Sequence, residues 1–382
     1  MYEDHRGCLH SIKCPFPAKE ILVSENHKNV FRGMHLSPYA KFIYVSKGSI
    51  RDFVWDGVLH DRTLAQGDSL YIPAGCPHGF LSMENSEIIY SLEDCFDPLR
   101  DRNIHWQTPE YGIPLFKEVI MSEKDSRAAY ATAYDYLVIG ARGFLGQNCV
   151  KHLDKRVLET NIRLEDHEGI RDLIKRSGVK YVICAAGISG RPTIDWCEEH
   201  EDETYRVNFL EVLNLIEICK DVHLTIFGSG SVYSGSKAMY TEEDAPDFTQ
   251  KVYSKWRCFL EQHVNKPHVL YLRIMYPCSF DGHPKCFYSK MRARQGSVHD
   301  ANVSITPIPY MFPHLSKLLE NKVSGIFNFV SDGTAPLHVI AGSSPVHSAE
   351  KPRGNYTLSS DKLSSFIPVI KTSVVLQERC EF

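Results

Sequence analysis

Tyr136-Leu-Val-Ile-Gly140-Ala-Arg-Gly143-Phe-Leu-Gly146 decides the fold of the larger part of this chain. Four apolar residues read as a short buried strand, and glycines at every third position then open a helix. Glycine suits this place because the turn is tight and the backbone must approach a bound pyrophosphate at the helix N-terminus. Gly140, Arg142, Gly143, Phe144, Leu145 and Gly146 are therefore candidate dinucleotide-binding residues. Further buried-strand candidates lie downstream at Tyr181–Cys184, Leu224–Phe227 and Val269–Leu272, with helical stretches at Glu168–Arg176 and Glu203–Lys220 between them. Such alternation implies a parallel sheet covered on both faces. No acid stands at the end of a clear second strand, and Arg163 lies nearby. That pattern points to NADPH, with NADH left open. Arg142 and Arg163 read equally well as solvated surface charges.

Upstream the pattern is different. Residues 1 to 120 lack helical periodicity and offer short β-rich runs: Lys41–Val45, Ile50–Trp55, Ser69–Ile72 and Glu87–Tyr90. Lys47-Gly48, Asp56-Gly57, Gln66-Gly67-Asp68 and Pro73-Ala-Gly75 punctuate them as turns. Many short strands at regular spacing suggest an antiparallel sandwich or barrel such as a jelly roll. Ser122 to Ala133 reads as a short helix or linker, and residues 342 to 360 as loop.

Bulk properties narrow the function. The chain has 382 residues, enough for two domains with separate cores, and its 43% apolar and 24% charged content is that of an ordinary globular protein. A net charge of −4 without a basic run argues against nucleic acid or a membrane surface as partner. Twelve scattered cysteines form no CxxC pair, which favours reduced thiols. Cys184, Cys197 and Cys219 sit in apolar or helical contexts, where cysteine packs as a small hydrophobe. No signal pattern opens the chain and no apolar run approaches about 20 residues, so a cytoplasmic location is expected.

The first half carries an ordered set of motifs: Asp4-His-Arg6-Gly7, Asn29-Val-Phe-Arg32-Gly33-Met-His35, Lys41, Ile72-Pro-Ala-Gly-Cys-Pro-His78-Gly79-Phe80, Tyr90, and Ser122-Glu-Lys-Asp125. The usual metal-binding His-x-His of jelly rolls is missing, since Leu36 and Ser37 follow His35, and this argues against a metal. The set resembles the metal-free dTDP-4-dehydrorhamnose 3,5-epimerases, cupin-type jelly rolls. The resemblance implies His35 as the base beside a ketone, held by Asp125; Lys41 as the charge on the enolate oxygen; and Tyr90 as the acid on the opposite face. It also implies that Arg6, Arg32 and His78 bind substrate, the arginines at the diphosphate. Singly, His35 reads as a core histidine and Tyr90 as a barrel aromatic; the ordered set favours the site. Asp94-Cys95-Phe96 stands where the family often has tyrosines, so sugar selectivity or the number of carbons epimerised is open.

The second half carries Ala185-Ala186-Gly187-Ile-Ser-Gly-Arg191-Pro-Thr-Ile-Asp-Trp-Cys-Glu198, Asn208, Glu242-Glu-Asp-Ala-Pro246 and Tyr253-Ser-Lys255. These resemble the nucleotide-rhamnose synthase/epimerase-reductases of plants and viruses, and more distantly dTDP-4-dehydrorhamnose reductases. The resemblance implies cofactor contacts at Ala185, Ala186 and Gly187, and substrate contacts at Arg191, Asn208 and Lys290. It implies Ser229 orienting a carbonyl and Tyr253 giving it a proton. The family places a lysine four residues after that tyrosine; here Arg257 stands there, and Lys255 belongs to another face of the helix. Where the single-domain plant enzymes have an epimerase cysteine, this chain has Ser231, so epimerisation is expected in the first half.

The expected fold is an all-β cupin-like jelly roll at 1–125, followed by an α/β Rossmann-type doubly wound parallel sheet at 134–382. The expected function is bifunctional. A UDP- or dTDP-linked 4-keto-6-deoxy-glucose is epimerised at C3 and C5, then reduced at C4 with NADPH to a nucleotide-L-rhamnose-type sugar. Two alternatives stay open: a second half that binds nucleotide without turnover, and the same chemistry on another deoxysugar nucleotide. A homodimer is the expected assembly.

Overall fold

The computed structural model describes residues 2–4, 7–9, 12–131, 134–190, 194–293, 298–299, 301–346 and 356–380. Arg6 and Arg191 lie outside the described residues, as does the middle of the expected loop at 342–360. Two compact units divide the chain: the first takes in Met1–Ala133, the second Tyr134–Ile174 and Gly178–Phe382.

The first unit holds two antiparallel sheets. Strands Glu20–Asn26, Ser86–Leu92, Lys41–Lys47 and Ser69–Ile72 form one, in that spatial order. Arg102–Asn103, Phe31–Leu36, His78–Ser82, Ser49–Trp55 and Leu59–Ala65 form the other. Alternation along the strands turns Ile43, Val45, Ile72 and Ile88 of the first sheet toward Ile50, Val54, Leu64 and Phe80 of the second. Phe31, Met34, Phe53 and Leu81 pack on the other side with Ile104, Trp106, Tyr111 and Ile113. This is the expected jelly-roll architecture, with the expected strands extended by one or two residues at their ends.

One irregularity prepares the site. Arg32 pairs with Phe80 and His35 with His78, and the register shifts between them. In a regular strand, residues three apart point to opposite faces. The bulge puts Arg32 and His35 on the same side while Phe31 and Met34 both enter the core. Gly33 makes this possible: its φ is +114°, and a Cβ there would lie 2.6 Å from both the Gly79 Cα and the His78 carbonyl oxygen.

The second unit is built on six parallel strands in the order Val157–Thr160, Tyr136–Ile139, Tyr181–Cys184, His223–Ser229, Val269–Ile274 and Gly325–Asn328. The first strand in sequence lies between the second and third. Its C-terminal end is therefore the point where the chain switches sides, and in open α/β sheets ligands bind there. The largest core cluster joins Tyr136, Val138, Ile183, Leu270 and Leu272 of the sheet to Phe312, Leu315 and Leu319 of the helices below it. Cys184, Cys197 and Cys219 are buried in the unit, as their apolar contexts suggested. The helix expected over Glu203–Lys220 is interrupted. Helices Glu201–Tyr205 and Glu211–Ile218 flank a wider π turn at Arg206–Leu210 that carries Asn208. Among the described residues no helix is long and apolar enough to cross a membrane.

Candidate active sites in the two units

In the first unit Arg32, His35, Lys41, His78 and Tyr90 line one cavity of about 390 Å³. They come from both sheets. Lys41 pairs with Leu92, which sets Tyr90 diagonally beside it on the same face. Across the cavity, the neighbouring strands place His78 and Asn103 in register with His35.

His35 Nε2 lies 2.9 Å from Asp125 Oδ1. Asp125 sits in the single helical turn Glu123–Ser126, whose Ser122 cap accepts the Asp125 N–H. Burial alone would raise the Asp125 carboxyl. The His35 hydrogen bond and charge, with Ser122 and the Gly33 backbone, hold it below the usual carboxylate range. Asn103 Nδ2 donates to the same Oδ1 at 2.6 Å.

Lys41 is only 8% exposed, and burial lowers its ammonium below the ordinary lysine value. Asp101, with Oδ2 3.9 Å from Nζ, opposes that shift. Asp101 also accepts the Tyr39 hydroxyl at 3.0 Å; burial and that carboxylate push the hydroxyl up to about 12. The Tyr90 hydroxyl is driven up by desolvation, partly offset by the Arg32 charge. His78 Nε2 meets Asp52 Oδ2 at 2.7 Å, and both side chains are buried. Arg32 donates from Nε to Asn26 Oδ1 at 2.5 Å. Phe96 stands at the cavity wall, half in solvent.

Asp52, Asp101, Asn103 and Tyr39 escaped the sequence reading. A signal existed for the first: a histidine inside the buried strand His78–Ser82 needs a polar partner. None marked Asp101, in the connection after Leu92, or Asn103, in the two-residue strand that follows it.

In the second unit Gly140 has φ +81°, and a Cβ there would lie 2.8 Å from the Ala186 nitrogen. A Cβ on Gly146 would lie 2.2 Å from the Gly140 carbonyl oxygen. Gly143 caps the helix Phe144–His152, whose first N–H groups have no partner within the helix. The turn thus stacks against Ala185–Gly187 at the switch point of the sheet. Arg142 is exposed on the turn. Arg163 is exposed beyond the second strand, beside a shallow depression with Glu165, Asp166, Glu203 and Arg206.

Tyr253 and Arg257 lie one turn apart on the helix Val252–Glu261, facing inward. The Arg257 guanidinium carbon is 5.5 Å from the Tyr253 ring centroid. Nη1 donates to the Phe227 carbonyl at 3.4 Å, two residues before Ser229, and Nε has no hydrogen-bond partner. Arg257 is 5% exposed; burial works against its charge, but Tyr253, Tyr271 and Cys184 around it hold it protonated. A Cβ on Gly187 would lie 3.1 Å from Arg257 Nη2. Lys255 faces away and pairs with Glu201 at 2.8 Å.

The two other residues expected at the substrate differ in their surroundings. Asn208 is fully buried, and its amide is spent on the Ile188 backbone, accepting at 2.8 Å and donating at 2.7 Å. It pins the Ala185–Ile188 loop through both ends of its amide. Lys290 is exposed on the short helix Phe287–Arg292.

Comparison with known proteins gives each unit its own match. The family model of dTDP-4-dehydrorhamnose 3,5-epimerase covers residues 2–132, and that of the RmlD substrate binding domain covers residues 135–306. A bifunctional dTDP-4-dehydrorhamnose 3,5-epimerase/dTDP-4-dehydrorhamnose reductase of Arabidopsis thaliana is 30% identical over 223 residues, which are 55% of this chain and 74% of that protein. A trifunctional UDP-glucose 4,6-dehydratase/UDP-4-keto-6-deoxy-D-glucose 3,5-epimerase/UDP-4-keto-L-rhamnose-reductase of the same plant is 29% identical over 56% of this chain, but only 34% of that longer protein is matched. In fold, the chain is similar to the L780 UDP-rhamnose synthase of Acanthamoeba polyphaga mimivirus, with a TM-score of 0.59 and 24% identity over 65% of this chain and 99% of that one.

Proposed function

The chain belongs to the family of bifunctional dTDP-4-dehydrorhamnose 3,5-epimerase/dTDP-4-dehydrorhamnose reductases, and from that premise we propose that it divides the two activities between its two units. The first unit epimerises a UDP- or dTDP-linked 4-keto-6-deoxy-hexose at C3 and C5. The second reduces the C4 ketone to a nucleotide-L-rhamnose-type sugar. The observation that carries this reading is the convergence of Arg32, His35, Lys41, His78 and Tyr90 on one cavity, with Asp125 behind His35.

The residues suit the chemistry. Removing a proton beside a ketone leaves negative charge on the carbonyl oxygen. Lys41, held in a desolvated place, supplies the positive charge that meets it. His35 takes the proton, and Asp125 orients the ring and stabilises the imidazolium. Tyr90, whose burial makes its hydroxyl hold its proton, returns one from the other side. Arg32 fits a diphosphate oxygen.

The second unit fits a dinucleotide. Its turn has no room for a Cβ at Gly140 or Gly146, and the buried Arg257 sets Nη2 beside Gly187 while its Nε has no hydrogen-bond partner. Gly140, Gly143 and Gly146 would hold the pyrophosphate, and Arg142 and Arg163 a 2′-phosphate of NADPH, with NADH the weaker fit. A bound NADPH would supply hydride. Tyr253 gives the proton to the ketone oxygen, Ser229 orients that oxygen, and Arg257 takes the place of the family lysine. Ser231 donates no proton comparable to a thiol's, which leaves epimerisation to the first unit.

Product analysis by NMR in heavy water, with and without NADPH, tests the whole reading. Deuterium should enter at C3 and C5 without NADPH, and C4 should be reduced only with it. Absence of both exchange and NADPH oxidation would sink it. NADPH binding without oxidation would favour a second unit that only binds nucleotide; the buried guanidinium in the lysine position motivates that second reading.

The protein is proposed to be cytoplasmic, with thiols reduced; the described cysteines from Cys14 to Cys286 are free. A homodimer fits the apolar outer face of the four-stranded sheet, where Ile21 is 64% and Val23 61% exposed. Light scattering at micromolar concentration would show a monomer if that is mistaken.

A further inference from the structure

Asp125 Oδ1 accepts two hydrogen bonds, from His35 Nε2 at 2.9 Å and from Asn103 Nδ2 at 2.6 Å. The shorter one does not come from the proposed base. Asn103 pairs directly with His35 across the strands, so its side chain is fixed beside the dyad by backbone register. Its amide orientation is fixed too, because the reverse placement would set its oxygen against the carboxylate. Its own Oδ1 is buried with no hydrogen-bond partner. A buried carbonyl oxygen left without a donor is costly. The arrangement therefore secures the Nδ2 contact to Asp125 at the expense of the rest of the amide.

We propose that Asn103 is a positioning residue that weakens His35 as a base by drawing off part of the Asp125 charge. This inference rests on the reading of His35 as the epimerase base. An N–H bonded to a carboxylate oxygen stabilises the anion and reduces the field it exerts elsewhere. The imidazolium formed when His35 accepts a proton is then less favoured. Other charges face this dyad. Arg32 lies on the His35 strand, and Asp52 sits behind His78 on the neighbouring strands. Lys41 and Tyr90 lie on the opposite sheet, with Asp101 beside Lys41. Ser122 and the Gly33 backbone also bond the carboxylate, but Asn103 shares with His35 the very oxygen that holds the ring, and at the shorter distance.

The test is the pH profile of solvent-deuterium exchange into the keto-sugar nucleotide by the full chain. In Asn103→Ala the acid limb should move up by about half to one pH unit, with alkaline activity retained. Asn103→Asp is nearly the same size, replaces the donor by a like charge, and should move the limb further in the same direction. A residue that only packed would lower exchange at all pH values and leave the limb in place; that outcome overturns the proposal. NMR titration of the His35 ring in substrate-free protein reads the same coupling without turnover. A titration shifted upward in Asn103→Ala supports the coupling even if no exchange occurs, and in that case the functional reading fails while this one stands. An unshifted titration overturns it even in an active enzyme.

Discussion

Lys41 is held between two opposing influences, and in the proposed mechanism their balance sets where the first site stops working. Burial lowers its ammonium, so the charge is lost at a lower pH than for an ordinary lysine. Asp101 raises it again across 3.9 Å. If the charged form meets the enolate, exchange activity falls as pH rises through the lowered value. Asp101→Asn removes the raising influence while still accepting the Tyr39 hydroxyl. The alkaline limb of deuterium exchange should then move to lower pH, and an unchanged limb would show that Lys41 is not the group that titrates. Arg257 offers a second case. Arg257→Met keeps the length and removes the charge next to Tyr253. NADPH oxidation should drop by roughly a hundredfold or more, the range expected when proton transfer loses its support. Deuterium exchange in the first unit should be unaffected. At this scale the residues that chemistry demands are visible in the sequence, and those that only assist are hidden. A histidine, a lysine and a tyrosine in motif order are legible. Asp101 and Asn103 are not, because a carboxylate in a connection and an amide in a two-residue strand look like solvated loop residues until the sheet brings them inward.

Elements explain why some of these placements were unreadable. The stretch from Phe31 to Leu36 reads as a strand, but no alternation rule puts Arg32 and His35 on one face. The bulge does so, and its requirement is Gly33 with its +114° φ pressed on Gly79. Likewise the run Glu203–Lys220 reads as one helix, and only the π turn shows that Asn208 is directed at the Ile188 backbone. The glycine turn after Ile139, by contrast, was fully legible, since each glycine answers to a backbone distance. Cofactor choice belongs to this scale as well, because it depends on the residues just beyond the second strand. Arg163 is exposed there and shares its depression with Glu165, Asp166 and Glu203. If it contacts a 2′-phosphate, Arg163→Ala should raise the KM for NADPH about tenfold, the loss of one charge-assisted contact, and leave that for NADH unchanged. Equal effects on both coenzymes would return Arg163 to the role of a solvated surface charge.

Each unit has its own core and its own candidate site, and that bears on how the two reactions are joined. The proposed epimerisation passes through an enolate and forms no bond between sugar and protein. Its product can therefore leave the first site intact. The proposed reductase groups, Ser229, Tyr253 and Arg257, all lie in the second unit. Two single variants use this separation. His35→Asn removes the base and should abolish exchange, while Tyr253→Phe removes the proton donor and should abolish reduction. Neither protein alone should convert the 4-keto-6-deoxy nucleotide sugar to the reduced L-sugar. Mixed in equal amounts with NADPH, they should form it again, because Tyr253→Phe supplies the epimerised ketone and His35→Asn reduces it. The measurement is NADPH oxidation, read by absorbance, together with NMR of the product. A mixture as silent as its parts, with each variant still folded and still performing its remaining half-reaction, would mean that the ketone does not pass through solvent. The two units would then have to act on one bound molecule within a single chain.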